Sequence, residues 1–429
     1  LLRRLECVLE PTRDAVIESY EKNKAIWGRD SDNYCMASGR AFYNLSTYRL
    51  ADLGSSNTQS NLKEYINAFS PNVREIFEQF EFDSICAKLQ NYEPPLLYDV
   101  CKKFGAKDMD LSPEAVDDRT MSDIYEHLIR RFGESIAEDA EDFMTPKDVV
   151  RLAVALVMAT GEDEILSSDD GVVRTIYDPT MGTGGFITDA MDYIAEVQSR
   201  KNLRVPAMII PYGQEVLGES WAMGKTNLLI RNVADESLDR YEQMKDLSAN
   251  IYRGNTLTND MTEGTRFDLI FSNPPFGKEW KKEQKTVDDE IKLGYAGRFG
   301  AGKPKIDDSA MLFLQHVISK MKRAEEGGAK AAIVLSASPL FVSTSLGSGP
   351  SNIRRWILQN DFVDCIVKLP TEIFYRTGIA TYLWILSTRK DEGRRGKVQL
   401  IDASTFKTPL RKNQGNKRYE ISQEQIDEI

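Results

Sequence analysis

The stretch SNPPF, residues 272–276, follows an apolar run and places an amide, two prolines and an aromatic ring at the end of a predicted strand. Proline fixes its own φ, and Pro275 also pushes Pro274 towards extended geometry. The carbonyl of Pro274 and the side-chain oxygen of Asn273 can therefore form a rigid pair of hydrogen-bond acceptors. Such a pair suits an exocyclic amino group, because accepted hydrogen bonds favour the positive charge that develops when the nitrogen attacks an electrophile. Phe276 could stack on the flat ring that carries this group.

The amino edge of a base is paired inside a duplex, so a base held by this motif would have to be swung out of the helix. The alternative for SNPPF alone is a turn after a strand, with Asn273 buried and Phe276 in the core. A second chemical motif on the same sheet is needed to favour the first interpretation over the second.

A glycine-rich turn, IYDPTMGTGGF at residues 176–186, lies upstream between a predicted strand and a predicted helix. Its glycines permit close backbone approach, and Asp178 places a carboxylate at the strand end. The spacing differs from the dinucleotide fingerprint and lacks the Lys-Ser/Thr ending of a phosphate loop, so we do not expect a pyrophosphate ligand. A ligand with an amino-acid part and a nucleoside fits better. Glu215, at the end of the next strand, could accept hydrogen bonds from ribose hydroxyls, the alternative being an exposed acid at a helix entry.

Composition limits the other kinds of site. Only two histidines occur, His127 and His316, both in helix-like sequence, so we expect neither a histidine-based triad nor a metal site. The five cysteines are widely spaced and form no CxxC pair, which indicates reduced thiols in a cytoplasm. No apolar run approaches the roughly 20 residues of a membrane span. With 55 Lys+Arg against 66 Asp+Glu and a net charge of -11, any nucleic-acid contact must come from a local patch or a partner.

The elements that carry these motifs alternate along the chain. Up to Phe132 the sequence predicts helices with polar joints, including FSPNVREIFEQF, LSPEAVDD and MSDIYEHLIRRF. From Asp142 onwards helices alternate with short apolar strands, beginning with a helix for which Thr145 is the predicted N-cap. This alternation predicts an α/β fold with a mostly parallel, doubly wound Rossmann-like sheet, in which ligands bind beyond the carboxyl ends of the strands.

A chain of 429 residues exceeds what one core supports, so we expect more than one domain. We predict an all-helical N-terminal domain over 1–132, a catalytic domain over 133–402 and a C-terminal segment over 403–429. Because the chain starts at Leu1 rather than Met and its last segment lacks a closing element, we expect a trimmed chain. Two polar stretches, 277–308 and 343–352, are predicted loops, and the first is long enough to suggest a function.

The ordered set DFMTPK, DPTMGTGGF, GQE, GNTL and NPPF resembles the S-adenosylmethionine-dependent DNA amino-methyltransferases, and specifically the modification subunit of type I restriction-modification systems. The similarity extends from the N-terminal helices, such as YINAFSPNVREIFEQFEF, through TGIATYLWILS. NPPF alone is shared by several methyltransferase families. The full ordered set together with the helical N-terminal domain is much more specific.

The resemblance implies contacts with S-adenosylmethionine. The methionine part of the cofactor would lie against Asp142, Phe143, Met144, Thr145, Pro146 and Lys147. Thr183, Gly184 and Gly185 match the family's glycine turn, with Asp178 near the amino-acid end and Glu215 on the ribose. Asn255 of GNTL matches the residue that meets the cofactor's adenine; many relatives have Asp there, but an Asn can still accept a hydrogen bond through its oxygen.

The implied activity is methylation of adenine N6 in double-stranded DNA, with Asn273, Pro274, Pro275 and Phe276 as the catalytic motif. The flipped adenine would be held by Asn273 and Pro274, stacked by Phe276 and methylated by direct SN2 transfer without a general base. The segment EIFYRTG would supply a second aromatic ring, and both Phe374 and Tyr375 are candidates.

The resemblance also implies partners. Sequence reading would belong to a separate specificity subunit, with two modification subunits around one such partner, and DNA cleavage would need a third, restriction subunit. Two groups of basic residues could contact phosphates, although charge runs are usually solvated faces: Lys278, Lys281, Lys282 and Lys285, and then Arg411, Lys412, Lys417 and Arg418.

Three other functions compete with this interpretation. A protein glutamine also presents an amino group, but so small a substrate would not explain the long helical domain. Cytosine N4 is the nearest chemical rival, which the motif order makes less favoured. A scaffold that binds the cofactor without transferring methyl has no use for paired acceptors.

Overall fold

The computed structural model describes residues 1–136, 144–159, 172–201, 207–231, 245–343, 345–375 and 377–429. The chain divides into two compact units. The first comprises Leu1–Leu128 and Gly218–Ala249, and the second comprises Ile129–Leu217 and Asn250–Ile429.

The helices, in chain order, are α1 Leu2–Leu9, α2 Arg13–Trp27, α3 Asn33–Ser38, α4 Thr58–Asn67, α5 Pro71–Gln79, α6 Phe82–Gln90, α7 Leu97–Phe104, α8 Asp118–Ile136, α9 Lys147–Met158, α10 Gly185–Lys201, α11 Gly218–Leu229, α12 Gln284–Ile291, α13 Ala310–Lys320, α14 Ser338–Phe341, α15 Gly349–Gln359 and α16 Gln423–Glu428. The strands are β1 Val173–Asp178, β2 Met208–Glu215, β3 Ile251–Arg253, β4 Leu269–Ser272, β5 Lys330–Ser336, β6 Val363–Lys368, β7 Thr381–Ser387, β8 Gln399–Asp402, β9 Thr408–Gln414 and β10 Lys417–Glu420.

The first unit is built from helices with one buried face. In α5, Pro71 occupies the first turn, where its missing N–H leaves no intrahelical hydrogen bond unmade. Val73, Ile76 and Phe77 follow at the i, i+3, i+4 spacing of a helix face and are buried. The helical N-terminal region expected from the sequence is thereby confirmed.

The second unit contains an eight-stranded sheet in the order β3-β2-β1-β4-β5-β7-β6-β8. Every neighbouring pair in it is parallel except the two pairs that involve β7. The strand order reverses beside β1, with β2 on one side and β4 on the other. The predicted mostly parallel, doubly wound sheet is therefore confirmed, and β9 and β10 form a separate hairpin.

Helices cover both faces of the sheet. Ile270 of β4 belongs to the buried cluster that includes Leu312 and Phe313 of α13. The next residue, Phe271, contacts Phe186 of α10 at a ring distance of 5.3 Å. Because successive strand residues point to opposite faces, α10 and α13 lie on opposite faces of the sheet.

Three details differ from the expectations. The LSPEAVDD stretch is a turn, because the helix that follows begins only at Asp118. Helix α9 begins at Lys147 with Pro146 as its N-cap, one residue later than predicted, and Thr145 therefore caps nothing. Neither predicted loop is a simple loop, since 277–308 contains α12 and 343–352 includes the start of α15 at Gly349. None of the described helices combines the length and apolar character that crossing a bilayer requires.

Candidate active site

The predicted chemical motifs meet at one edge of the sheet. Asp178 ends β1, Glu215 ends β2 and Asn273 follows β4. The turn 254–257 follows β3. These four strands are parallel neighbours, so their carboxyl ends lie side by side, which is where ligands bind in sheets of this kind.

The glycine turn is tied to the end of β2. Gly182 and Gly184 have φ angles of 56° and 82°, a conformation that side chains rarely adopt. The backbone N–H of Gly182 donates to Oε2 of Glu215 at 2.8 Å, and that of Leu217 donates to Oε1 at 2.8 Å. Burial raises the pKa of Glu215 despite these bonds. Glu215 therefore organises the turn, and its carboxylate, which offers about four acceptor positions, can still accept a hydrogen bond from a ligand.

Asp178 is buried at the start of the same turn. Its Oδ1 accepts from the backbone N–H of Thr180 at 2.8 Å, while burial raises its pKa to about 8. The hydroxyl of Thr180 lies 2.9 Å from that of Ser272, the last residue of β4. This contact joins the carboxyl ends of β1 and β4 directly beside Asn273.

Asn273 carries an acceptor without a partner. Its side chain is 4% exposed, and no hydrogen-bond partner of Oδ1 occurs within the described part of the chain. A buried polar atom in this condition costs roughly 1 to 3 kcal/mol. Groups left in this condition at the end of a strand are candidates for contact with a ligand.

The aromatic residue of the NPPF motif contacts a second aromatic ring. Phe276 meets Phe374 edge to face, with ring centroids 5.9 Å apart and planes at 90°. Phe374 is buried, whereas Tyr375 is half-buried. The structure thus brings together Phe276 and one of the two candidates for the second aromatic.

A cavity of about 820 Å³ lies beside the strand ends, within the roughly 300 to 1,000 Å³ of small-molecule sites. Its lining comes from the ends of four strands and from one helix: Pro179 and Thr180 after β1, 214–217 at the end of β2, 254–257 after β3, Pro275 and 278–283 after β4, and Ser309 and Phe313 near the start of α13. Of the predicted site residues, Glu215, Asn255 and Pro275 belong to this lining. Asp178, Thr183, Gly184 and Gly185 adjoin it through the same turn but do not line it.

Asn255 uses both ends of its amide within the protein. Its Oδ1 accepts from the backbone N–H of Leu257 at 3.0 Å, and its Nδ2 donates to Oε1 of Glu283 at 2.9 Å. The side-chain oxygen expected to meet a ligand is therefore already engaged in the turn that it begins.

Arg298 fixes the stretch 277–308 to that turn. Its guanidinium forms a bidentate pair with Glu290, with distances of 2.8 and 2.7 Å. It also donates to the carbonyl oxygens of Thr256 at 2.6 Å and Leu257 at 3.2 Å. Both charged side chains are largely buried. The stretch 277–308 is consequently anchored to the turn 254–257, and its residues 278–283 form part of the cavity lining.

The segment expected to meet the methionine part of a cofactor is described only in part. Asp142 and Phe143 lie outside the described residues. Met144 and Pro146 are buried, Thr145 is half-buried, and Lys147 lies 3.6 Å from Asp189 of α10. Lys147 thus contacts α10 from the start of α9, and none of these four residues lines the 820 Å³ cavity.

The basic residues that were expected to contact phosphate differ in exposure. Lys278, Lys281 and Lys282 are exposed and line the cavity mouth. Lys417 is 4% exposed and forms an ion pair with Asp148. The expectation that Lys417 contacts phosphate is therefore wrong, because its ammonium group is enclosed by the protein.

Two residues that line the cavity, Glu283 and Ser309, and one that supports its wall, Arg298, belong to none of the predicted motifs. Glu283 and Arg298 lie in a polar stretch without a recognisable pattern, so nothing in the sequence links them to the turn 254–257. Ser309 precedes α13 and is buried, and its hydroxyl has no partner among the described residues. A serine directly before a helix is commonly an N-cap, but this hydroxyl forms no cap hydrogen bond.

The chain matches known families over most of its length. Residues 116–429 match the profile of the N-6 DNA Methylase family, and residues 1–104 match that of the HsdM N-terminal domain. The chain is 28% identical over 281 residues to the type I restriction enzyme HindI methylase subunit of Haemophilus influenzae, covering 65% of this chain and 53% of that protein. It is 25% identical over 368 residues to the type I restriction enzyme MjaIX methylase subunit of Methanocaldococcus jannaschii, covering 81% of this chain and 57% of that protein.

The fold is also similar to a solved one. The methyltransferase subunit of a type I restriction-modification system from Streptococcus thermophilus superposes with a TM-score of 0.68 at 21% identity, covering 99% of this chain and 83% of that one. The chain spans about half the length of the two methylase subunits from Haemophilus influenzae and Methanocaldococcus jannaschii. Because the methylase profile matches well over half of the chain, this protein belongs to the N-6 DNA methylase family, and an HsdM N-terminal domain precedes its methylase part.

Proposed function

We propose that this protein methylates adenine N6 in double-stranded DNA with S-adenosylmethionine, as the modification subunit of a type I restriction-modification complex. The observation that carries the proposal is the side-chain oxygen of Asn273, which is buried and has no partner among the described residues. An acceptor kept free at this position matches the need of an amino group that becomes positively charged as it reacts. Membership of the N-6 DNA methylase family supports adenine N6 as the target.

The residues present fit S-adenosylmethionine, whose sulfonium supplies an electrophilic methyl group. The cavity has the size of a nucleoside site and contains the carboxylate of Glu215, which can accept from ribose hydroxyls. Asp178 would receive the amino-acid end, next to Thr183, Gly184 and Gly185. The segment from Asp142 to Lys147 would cover the methionine part, and Asn255 would lie at the adenine end.

The catalytic motif acts by orientation. The oxygen of Asn273 and the carbonyl of Pro274 accept the two hydrogens of the adenine N6 amine, which aims the nitrogen lone pair away from them. Pro275 holds Pro274 extended, so that the two acceptors stay at a fixed spacing. Phe276 stacks on the ring. The methylated nitrogen is acidic and loses its proton to water or to these acceptors, so no histidine base is required.

The second aromatic contact is assigned to Phe374 rather than Tyr375. Phe374 already contacts Phe276 at 5.9 Å, and the arrangement is edge to face. Opening a slot for a flat base would require the rings to separate. We infer that Phe374 moves with the entering base, while the half-buried Tyr375 stays at the rim of the site.

The proposed partners follow from the family and from charge. A chain with net charge -11 has no overall attraction for DNA, so a separate specificity subunit would read the sequence. A second copy of this chain would bind the same specificity subunit, and a restriction subunit would supply cleavage. The helical domain at 1–132 would grip DNA or the partner, the part at 133–402 would carry catalysis, and 403–429 would lead towards the docking region. Such a complex would act in the cytoplasm.

Mass spectrometry of nucleosides and protein hydrolysates from host cells tests the target atom. Cells that carry the intact protein or Asn273→Ala are compared with cells that carry neither. We expect N6-methyladenine only with the intact protein. The appearance of N4-methylcytosine or methylglutamine instead would transfer the activity to those substrates, and no change in any of the three would favour a scaffold that does not transfer methyl.

A further inference from the structure

The stretch that follows the NPPF motif places a carboxylate in the cavity. Glu283 immediately precedes α12, is half-buried and lines the cavity together with Asn255. The amide nitrogen of Asn255 donates to Oε1 of Glu283 at 2.9 Å. A carboxylate offers about four acceptor positions on its two oxygens, so this bond leaves Glu283 able to accept from a ligand as well.

The orientation of the Asn255 amide is fixed by its two bonds. The backbone N–H of Leu257 donates to its oxygen, which turns its amino group towards Glu283. The amino group of Asn255 is a hydrogen-bond donor, so it cannot accept a hydrogen bond from an amino group of a ligand. At this end of the cavity the anionic acceptor is therefore the side chain of Glu283 and not that of Asn255.

The position of Glu283 is held from both ends of α12. Asn255 contacts Glu283 before the first residue of the helix, and Arg298 holds Glu290 near its last residue. Arg298 also contacts the carbonyls of Thr256 and Leu257. Two independent sets of bonds thus fix the same helix to the same turn, so Glu283 is a positioned group.

We propose that Glu283 accepts a hydrogen bond from the exocyclic amine of the cofactor's adenine and so selects an aminopurine over an oxopurine. The inference rests on the proposed function, which makes the cavity the nucleoside site. An oxopurine presents a carbonyl in place of the amine. Its oxygen and the Glu283 carboxylate would then be two hydrogen-bond acceptors facing each other, and they would repel. Glu283 is accordingly a specificity-determining residue supplied by the stretch 277–308.

Calorimetry with two non-reactive ligands tests the proposal without requiring methyl transfer. S-adenosylhomocysteine and S-inosylhomocysteine differ at the purine 6-position, and their dissociation constants are measured for the intact protein and for Glu283→Gln. Glutamine keeps an oxygen for the Asn255 bond and adds a donor. We expect the intact protein to prefer the adenosyl ligand by about tenfold or more, as a hydrogen bond to a charged group implies, and Glu283→Gln to lose most of that preference.

Three further variants separate the role of Glu283 from the general effect of charge in the cavity. Glu279→Gln removes the same charge from an exposed residue of the same cavity and should leave the preference unchanged. Asn255→Asp places two carboxylates in contact and should weaken binding of S-adenosylhomocysteine by about tenfold. The double variant Asn255→Asp with Glu283→Gln exchanges amide and carboxylate, and should restore binding.

The possible failures are distinguishable. An intact protein that binds neither ligand would overturn the proposed function and the inference with it. An intact protein that binds S-adenosylhomocysteine, while Glu283→Gln keeps the full preference for it, would overturn the inference alone. Loss of the preference in Glu279→Gln as well would also count against it, because the effect would then follow the charge of the cavity and not one residue.

Discussion

The ammonium nitrogen of Lys417 lies 2.8 and 3.0 Å from the two carboxylate oxygens of Asp148, and both side chains are nearly enclosed. Lys417 also donates to the carbonyl of Ile373 at 3.1 Å, and the backbone N–H of Ile421 donates to Asp148 at 2.9 Å. These bonds join the hairpin of β9 and β10 to the start of α9 and to the residue before Phe374. The C-terminal part of the chain therefore helps to position the proposed base-stacking segment.

Replacing Lys417 with Met should destabilise the protein strongly. The variant leaves the carboxylate of Asp148 buried without its cation, which typically costs about 3 to 5 kcal/mol in free energy of unfolding. Urea denaturation measures the change. Lys412→Met, an exposed lysine of the same hairpin, is the matched control and should change stability by less than about 0.5 kcal/mol. A Lys417→Met protein as stable as the control would mean that the pair contributes nothing.

The hydrogen bonds of Arg298 predict that this residue controls cofactor affinity from outside the cavity lining. Lysine cannot reproduce the bidentate contact with Glu290 together with the two carbonyl contacts. We expect Arg298→Lys to raise the dissociation constant of S-adenosylhomocysteine by about tenfold, because the turn 254–257 loses its anchor. Arg354→Lys is the control, since Arg354 also donates to two carbonyls, but to those of Pro339 and Ser343 and not to the turn 254–257. Equal affinities in the two variants would contradict the assignment.

The raised pKa of Asp178 predicts how stability depends on pH. Burial raises this pKa from 3.8 to about 8, so the folded protein holds a proton that the unfolded chain has already released between these values. The contribution of Asp178 to stability therefore falls as pH rises from about 4 to about 8, and levels off above that. Asp178→Asn keeps an acceptor for Thr180 but cannot titrate.

Thermal unfolding between pH 5 and pH 8 measures this effect. The intact protein should lose more stability over this interval than Asp178→Asn does. Glu279→Gln, which removes an exposed acid, should follow the intact protein. Parallel curves for the intact protein and Asp178→Asn would show that Asp178 ionises at its ordinary pKa.

The sheet could be predicted because its signals are local. The strand ending in Asp178 and the strand ending in Ser272 are short, mainly apolar runs bounded by turn residues. The segments between them include stretches in which apolar residues recur at the spacing of a helix face. Parallel order then places the strand ends side by side without further information. The places of Asp178, Glu215 and Asn273 at the carboxyl ends of their strands are therefore predictable from the sequence.

The wall of the cavity could not be predicted, because its contacts join positions far apart in a polar stretch. Glu283 pairs with Asn255 across 28 positions, and Arg298 meets Thr256 across 42. Their residue types are those of an ordinary solvated loop, and α12 carries only one fully buried residue, Val287. The same limit explains Lys417, whose ion pair with Asp148 spans 269 positions.

The role of Asn273 is tested most directly by separating cofactor binding from methyl transfer. Asn273→Ala is compared with the intact protein in two measurements: calorimetry with S-adenosylhomocysteine, and sequencing of the host genome by a method that reports N6-methyladenine at each position. We expect the variant to bind the cofactor product within about twofold of the intact protein, because the proposed role of the Asn273 oxygen is to hold the target amine and not the cofactor. We also expect methylated adenines at one recurring DNA sequence with the intact protein and none with Asn273→Ala. Methylation that persists at those sites in Asn273→Ala, with cofactor binding intact, would contradict the proposed role of Asn273.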